Sequence, residues 1–232
     1  MTEWRIKLEG HKFDLRAMSK LLHLSVCSVS EEGGSYYLRA AEFSSLTDPR
    51  DVQRCATELI AQLRGAARAL FGNFETVKVA GIERVEQDGK PPTQFILPDS
   101  IVLRGRGLLL ATGASDGAEP AVLDSWAAIA NTDAKVAEAL RLFGSTERDY
   151  PNLYKVYEVV KGDVGRQNII KNGWATGSEL KRFTHTANCK VALGDEARHG
   201  VGGCSVRKHM PRSEAESLVG KILLGWVRDK GA

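Results

Sequence analysis

The amino-acid sequence predicts an α+β fold: an N-terminal antiparallel sheet with a packed long helix, followed by a mostly helical C-terminal half. Three observations carry this. Strand-like runs of period two flank one long helical run in residues 3–110, glycines sit in the turns between neighbouring strand-like runs, and beyond residue 119 the apolar spacing becomes that of helices.

Residues 3–8 place Trp4, Ile6 and Leu8 on one face and Arg5 and Lys7 on the other, the alternation of a half-buried strand. A short helix is expected over 13–22. Residues 24–30 and 36–43 are strand-like runs around Glu31-Glu32-Gly33-Gly34, and glycine supplies the positive φ that a tight hairpin needs. Asp48 then stands as an N-cap and Pro49 at the first helical position, where its missing N–H costs nothing. Val52, Cys55, Leu59, Leu63, Ala66 and Leu70 recur at helical spacing up to Gly72. Residues 77–86 alternate again, Asp88-Gly89 marks a turn, and 94–97 with 101–110 add one or two further strands.

Residues 113–119, rich in Gly, Ala, Ser and Asp, form the expected linker between a sheet domain over 1–112 and a helical domain over 120–232. Helices are expected at 123–129, 134–143, 152–161, 167–171, 179–184 and 213–228. In the third, Leu153, Val156, Tyr157 and Val160 share a face. The last opens on Ser213 and Glu216 as a capping box and carries Leu218, Ile222, Leu223 and Trp226 as its apolar stripe. Residues 188–211 show no clear periodicity, and long irregular segments in compact domains are often functional.

With 43% hydrophobic and 26% charged residues over 232 positions, the composition is that of an ordinary folded protein. No apolar run approaches the roughly 20 residues of a membrane span, and no secretion signal opens the chain. The four cysteines, at 27, 55, 189 and 204, form no C-x-x-C pair in a chain large enough to need no staples. A cytoplasmic protein with no membrane contact is therefore expected. The net charge of +3 hides an asymmetry: residues 161–212 hold ten Lys/Arg against four Asp/Glu, a balance of +6 that leaves −3 for the rest.

The densest chemistry is His185, Cys189, His199, Cys204 and His209 beside Arg182, Arg198, Arg207 and Lys208. Imidazole and thiolate suit zinc, but this spacing fits no ligand pattern and the surrounding positive charge disfavours a cation, so no metal is expected. Nor does the glycine-rich stretch at 200–203 form a Walker or dinucleotide motif, so no cofactor is expected. An Arg that stabilises charge on a scissile phosphate and a His that moves the 2′-hydroxyl proton suffice for ribonuclease chemistry. The candidates are Arg198 with His199 and Arg182 with His185; a tie of Asp195, Arg198 and His199 through buried hydrogen bonds is the alternative. Lys171, Trp174, Lys181, Arg207 and Lys208 combine phosphate contact with a stacking ring, as nucleic-acid binding requires, or make up a solvated basic face.

Through the stretches 10–15, 36–43, 153–165, 182–188 and 195–200, the last reading Asp195-Glu196-Ala197-Arg198-His199-Gly200, the whole chain resembles a group of bacterial proteins of unassigned function. Its C-terminal half is similar to the HEPN and abortive-infection helical domains of bacterial defence systems, although their Arg, four-to-six-residue gap, then His is not reproduced. The resemblance implies binding of RNA or of a protein partner in defence or stress. A binding or interaction module is thus the leading expectation. An endoribonuclease using Arg198 and His199, supported by Arg182 and His185, and a structural homo-oligomer touching through Trp174 and Trp226 remain open beside it.

Overall fold

A computed structural model of the chain describes residues 3–22, 26–72, 74, 77–86, 91–95, 120–145, 149–189 and 209–231. The N-terminal stretch forms β1 (Glu3–Glu9), α1 (Lys12–Leu21), β2 (Cys27–Glu32), β3 (Ser35–Ala40), a 3-10 turn at Ala41–Ser45, α2 (Pro49–Phe71), β4 (Lys78–Val85) and β5 (Thr93–Phe95). The five strands make one antiparallel sheet in the order β2-β3-β1-β4-β5. The period-two pattern fixes the register. Ile6 of β1 pairs with Leu38 of β3 and Ile82 of β4, so three buried aliphatic side chains line up on the inner face. The β2–β3 hairpin turns on Gly33 and Gly34, both at positive φ (57° and 77°), as a two-residue type I′ loop demands. The expected strand at 101–110, the turn at Asp88-Gly89 and the linker at 113–119 lie outside the described residues.

Helix α2 begins as its sequence dictates. The Asp48 carboxylate accepts the Arg50 N–H at 2.8 Å, and the helix ends on Gly72 at a φ of 78°. Its 23 residues span about 34 Å and are buried on more than one side. One side carries Val52, Ala56, Leu59 and Leu63 into the core against the sheet, where β4 packs. The other meets α3 (Pro120–Thr132) and α4 (Ala134–Phe143), and α2 and α4 interlock at glycines. A Cβ on Gly65 would sit 1.9 Å from the Leu140 carbonyl oxygen, and one on Gly144 would sit 1.8 Å from that of Ala61. Arg68, buried in the same seam, donates to the carbonyls of Phe143 (3.1 Å) and Ser145 (2.8 Å), satisfying acceptors that the end of α4 leaves open. The buried side chains among the described residues before 112 and after 120 belong to one hydrophobic cluster.

The remaining helices among the described residues are α5 (Tyr150–Val164), α6 (Arg166–Lys171), α7 (Gly177–Ala187) and α8 (Arg212–Lys230). Helix α8 is central, with Leu218, Ile222, Leu223 and Trp226 all buried. Trp174 lies against it: a Cβ on Gly225 would fall 2.3 Å from the indole Cδ1. Trp174 and Trp226, the side chains through which a homo-oligomer would touch, are both buried within the single chain.

Two helix starts differ from expectation. The capping box at Ser213 does not form, because α8 begins earlier, with Pro211 as N-cap and no side-chain cap. Tertiary ties set that start: Tyr150 donates its hydroxyl to the Met210 carbonyl, and the Met210 N–H donates to Thr186 Oγ1 at 3.0 Å. The real capping box is on α7, where the Glu179 N–H donates to Thr176 Oγ1 at 3.2 Å and the Thr176 N–H donates to Glu179 Oε2 at 2.7 Å. Thr176→Ala is expected to cost about 1 kcal/mol, read as a lower urea midpoint with an unchanged m-value.

Cysteine usage also departs from the expectation that the chain needs no staple. Cys55 is a free thiol, but Cys189, buried at the end of α7, is disulfide-bonded. A disulfide requires Cα atoms within about 7 Å, a proximity created by packing and not encoded in spacing. The Cys55 thiol is pushed up to about 12 by burial and by Glu42 beside it, so it carries no thiolate at neutral pH. Among the described residues no helix is long and apolar enough to cross a membrane.

Candidate functional site

A cleft of about 470 Å³ opens between α5, α6 and α7, lined by Tyr154, Tyr157, Lys161, Arg166, Thr184, His185 and Asn188. Helical geometry assembles it. Tyr154, Tyr157 and Lys161 follow one another at spacings of three and four on α5, so they lie along one face. Gly165, at a φ of 80°, breaks the helix and restarts the chain with Arg166 at the cleft edge. Thr184 and Asn188, four apart, face it from the end of α7 beside His185.

The floor is aromatic and rigid. Phe183 stacks on Tyr154 (centroids 6.0 Å, planes 25° apart) and meets Tyr157 edge-on (5.9 Å, 84°), and all three are buried. The rim is cationic. Lys161 Nζ lies 5.9 Å from the Tyr157 ring centroid, and the Arg166 guanidinium lies beside the hydroxyl of that same ring while also donating to the Gly177 carbonyl at 3.4 Å. Both charges therefore converge on one tyrosine. Burial raises the pKa of Tyr157 above its ordinary value, against the opposing pull of Arg166, so its hydroxyl keeps its proton at neutral pH. Thr184 donates to the Leu180 carbonyl at 2.8 Å, and Asn188 Nδ2 donates to that of Thr184 at 2.8 Å, which leaves the buried Asn188 Oδ1 without a donor. Among the described residues no Asp or Glu lines the cleft; Glu158, on α5, acts on Tyr157 from outside it. A donor-rich pocket without carboxylates is suited to an anion.

The residues expected to be functional are distributed unevenly over this site. His185 lines the cleft, is exposed, and has no hydrogen-bond partner among the described residues. Arg182 does not join it. Its guanidinium forks onto the Glu214 carboxylate at 2.5 and 2.7 Å and donates to the His209 carbonyl at 3.1 Å, which ties α7 to the start of α8. Lys171 and Lys181 are exposed, whereas Trp174 is 9% exposed and presents no face for a base to stack on. Arg198, His199, Arg207 and Lys208 lie outside the described residues. Tyr154, Tyr157, Thr184 and Asn188 were not expected, and Lys161 and Arg166 entered only as charges in a sum. The available signal was the pairing of an aromatic with a cation one turn on, Tyr157 and Lys161, which places the ammonium over the ring. Among the described residues no group of three or more His, Cys, Asp or Glu is placed to hold a metal ion. No family model matches the chain, and neither a curated protein nor a solved structure does.

Proposed function

We propose that the chain is an RNA-binding module whose contact face is built by α5, α6 and α7, acting in the bacterial defence or stress setting to which its sequence resemblance points. One observation carries this. Lys161, Arg166, Lys171 and Lys181 are all exposed and none has a carboxylate partner among the described residues. Arg5, Arg39, Arg84 and Lys230, by contrast, each hold a carboxylate at 2.5 to 3.1 Å. Unpaired cations gathered on one face are the electrostatic footprint of a polyanion. Cleft hydroxyls favour RNA, whose 2′-hydroxyl both donates and accepts.

Phosphate contact releases counterions, with a log–log salt slope of roughly −0.7 per phosphate on a single strand, so four cations predict about −3. Fluorescence anisotropy of a labelled single-stranded RNA across a salt series measures it. Lys161→Ala with Lys171→Ala is expected to bring the slope to about −1.5 and to weaken binding at every salt concentration. Absence of binding at about 50 mM salt, where phosphate contacts are strong, overturns the assignment.

A second reading, endonucleolytic cleavage, is favoured by the position of His185, unpartnered in the same cleft as two cations. A base beside a stabilising cation is the arrangement that 2′-hydroxyl attack needs. Because His185 is exposed, His185→Ala is expected to leave the thermal transition in place while removing any cleavage seen on a denaturing gel. Intact RNA after prolonged incubation with the unsubstituted protein removes this reading.

A further inference from the structure

We infer that the cleft is a pocket for a terminal phosphate monoester of the bound RNA, in preference to an internal phosphodiester. This rests on the RNA-binding reading for its macromolecular ligand and goes beyond it in naming which group of the RNA the pocket selects.

Charge is the first argument. A phosphate monoester carries about −1.5 to −2 at neutral pH, against −1 for a phosphodiester. The cleft gathers two fixed positive charges, Lys161 and Arg166, around the single ring of Tyr157, and among the described residues no carboxylate in the lining offsets them. Lys171 and Lys181 do not line the cleft, so each is placed to meet one backbone charge outside it. A doubly charged group gains most where two cations meet.

Donor count is the second. A terminal phosphate offers three acceptor oxygens, a backbone diester only two unbridged ones. The lining supplies the Lys161 ammonium, the Arg166 N–H groups not used on Gly177, the protonated Tyr157 hydroxyl and the imidazole of His185. The floor adds selectivity of another kind, because Tyr154 and Tyr157 line the cleft and are held by packing on each other and on Phe183 behind them. At about 470 Å³ the cleft is in the size range of a small-molecule pocket and holds a chain end comfortably.

The test uses one RNA sequence with an internal label in three forms: 5′-phosphorylated, 3′-phosphorylated, and hydroxyl at both ends. Anisotropy titrations at one salt concentration compare the unsubstituted protein with Arg166→Ala, Lys161→Ala and Lys171→Ala. One phosphorylated form is expected to bind about tenfold more tightly than the unphosphorylated RNA, and which one does so identifies the end. Arg166→Ala and Lys161→Ala should erase that preference, whereas Lys171→Ala should weaken all three RNAs alike and keep it. Equal affinity of the three RNAs for the unsubstituted protein overturns the end-recognition proposal and leaves the RNA-binding reading intact. A preference that survives both cleft substitutions places the phosphate elsewhere and also overturns it. Binding of none of the three RNAs overturns both.

Discussion

Gly65→Ala is expected to destabilise the protein by about 3 kcal/mol, although alanine is the better helix former by about 1 kcal/mol. The added methyl would lie 1.9 Å from a carbonyl oxygen of the opposing helix, Leu140, and 2.7 Å from its carbonyl carbon. These are backbone atoms, so no rotamer change relieves the overlap. Helices α2 and α4 would have to separate, loosening the seam that Arg68 closes through Phe143 and Ser145. Chemical denaturation should show a lower midpoint, and the thermal transition should fall by roughly 6–12 °C for a chain of this size. Gly162→Ala is the internal control. Gly162 lies within α5 with nothing inside 4 Å of its would-be Cβ, so the same substitution there should stabilise by about 0.5–1 kcal/mol. Equal effects at the two sites would show that helix propensity, and not the close approach, governs both.

That contrast marks the line between what was legible in the sequence and what was not. The start of α2 could be read because Asp48 and Pro49 act on their own next residues, and the β2–β3 turn because Gly33 and Gly34 each meet a local demand for positive φ. Gly65 and Gly162 look alike in a sequence, since both interrupt a helical run. Only the position of α4 makes one indispensable and the other a liability. The same holds for α8, whose Ser213 and Glu216 have capping-box spacing while the residues that set its start, Tyr150 and Thr186, are far away in the chain.

The candidate site was half legible for a related reason. The local excess of positive charge covers the helices that line the cleft, and His185, picked out by residue type, lines it as well. Arg182 and His185 were weighed as a pair for their chemistry, but Glu214, 32 residues later, holds the Arg182 guanidinium. Tyr157 was read as part of an apolar stripe. It is buried like one, yet its hydroxyl end belongs to the cleft, so one side chain serves core and site together. Spacing along a helix reveals which residues share a face but not which neighbour claims each of them.

Asp163→Ala should cost about 2–3 kcal/mol, nearly all of it through one partner. The Asp163 carboxylate accepts from Lys135 Nζ at 2.7 Å, Lys230 Nζ at 2.9 Å and Trp226 Nε1 at 3.0 Å, fastening α5 to α4 and to the end of α8. The two ammonium groups are partly exposed and recover water, so each ion pair adds little. The Trp226 indole is fully buried, and its N–H would be left without an acceptor. Asp163→Asn retains an oxygen for Trp226 and should cost about 1 kcal/mol. The pH dependence separates charge from hydrogen bond. Hydrogen bonds from Lys135 and then Lys230 hold the Asp163 carboxyl well below its ordinary value, and one from Lys230 lowers Asp133 in the same way. A carboxylate depressed on folding stabilises above its unfolded pKa of about 3.9, and that stability is lost as pH falls through the folded value. Lys230 is raised by Asp133 and Asp163 against the opposing effect of burial, so its share is present below about 10.4 and is lost as pH rises through the folded value. Urea midpoints should therefore differ between the unsubstituted protein and Asp163→Asn by a constant amount from about pH 5 to 9 and converge below about pH 4. A difference that persists undiminished at pH 3 would show that the carboxylate's charge contributes nothing, and that Asp163 acts on Trp226 through shape and hydrogen bonding alone.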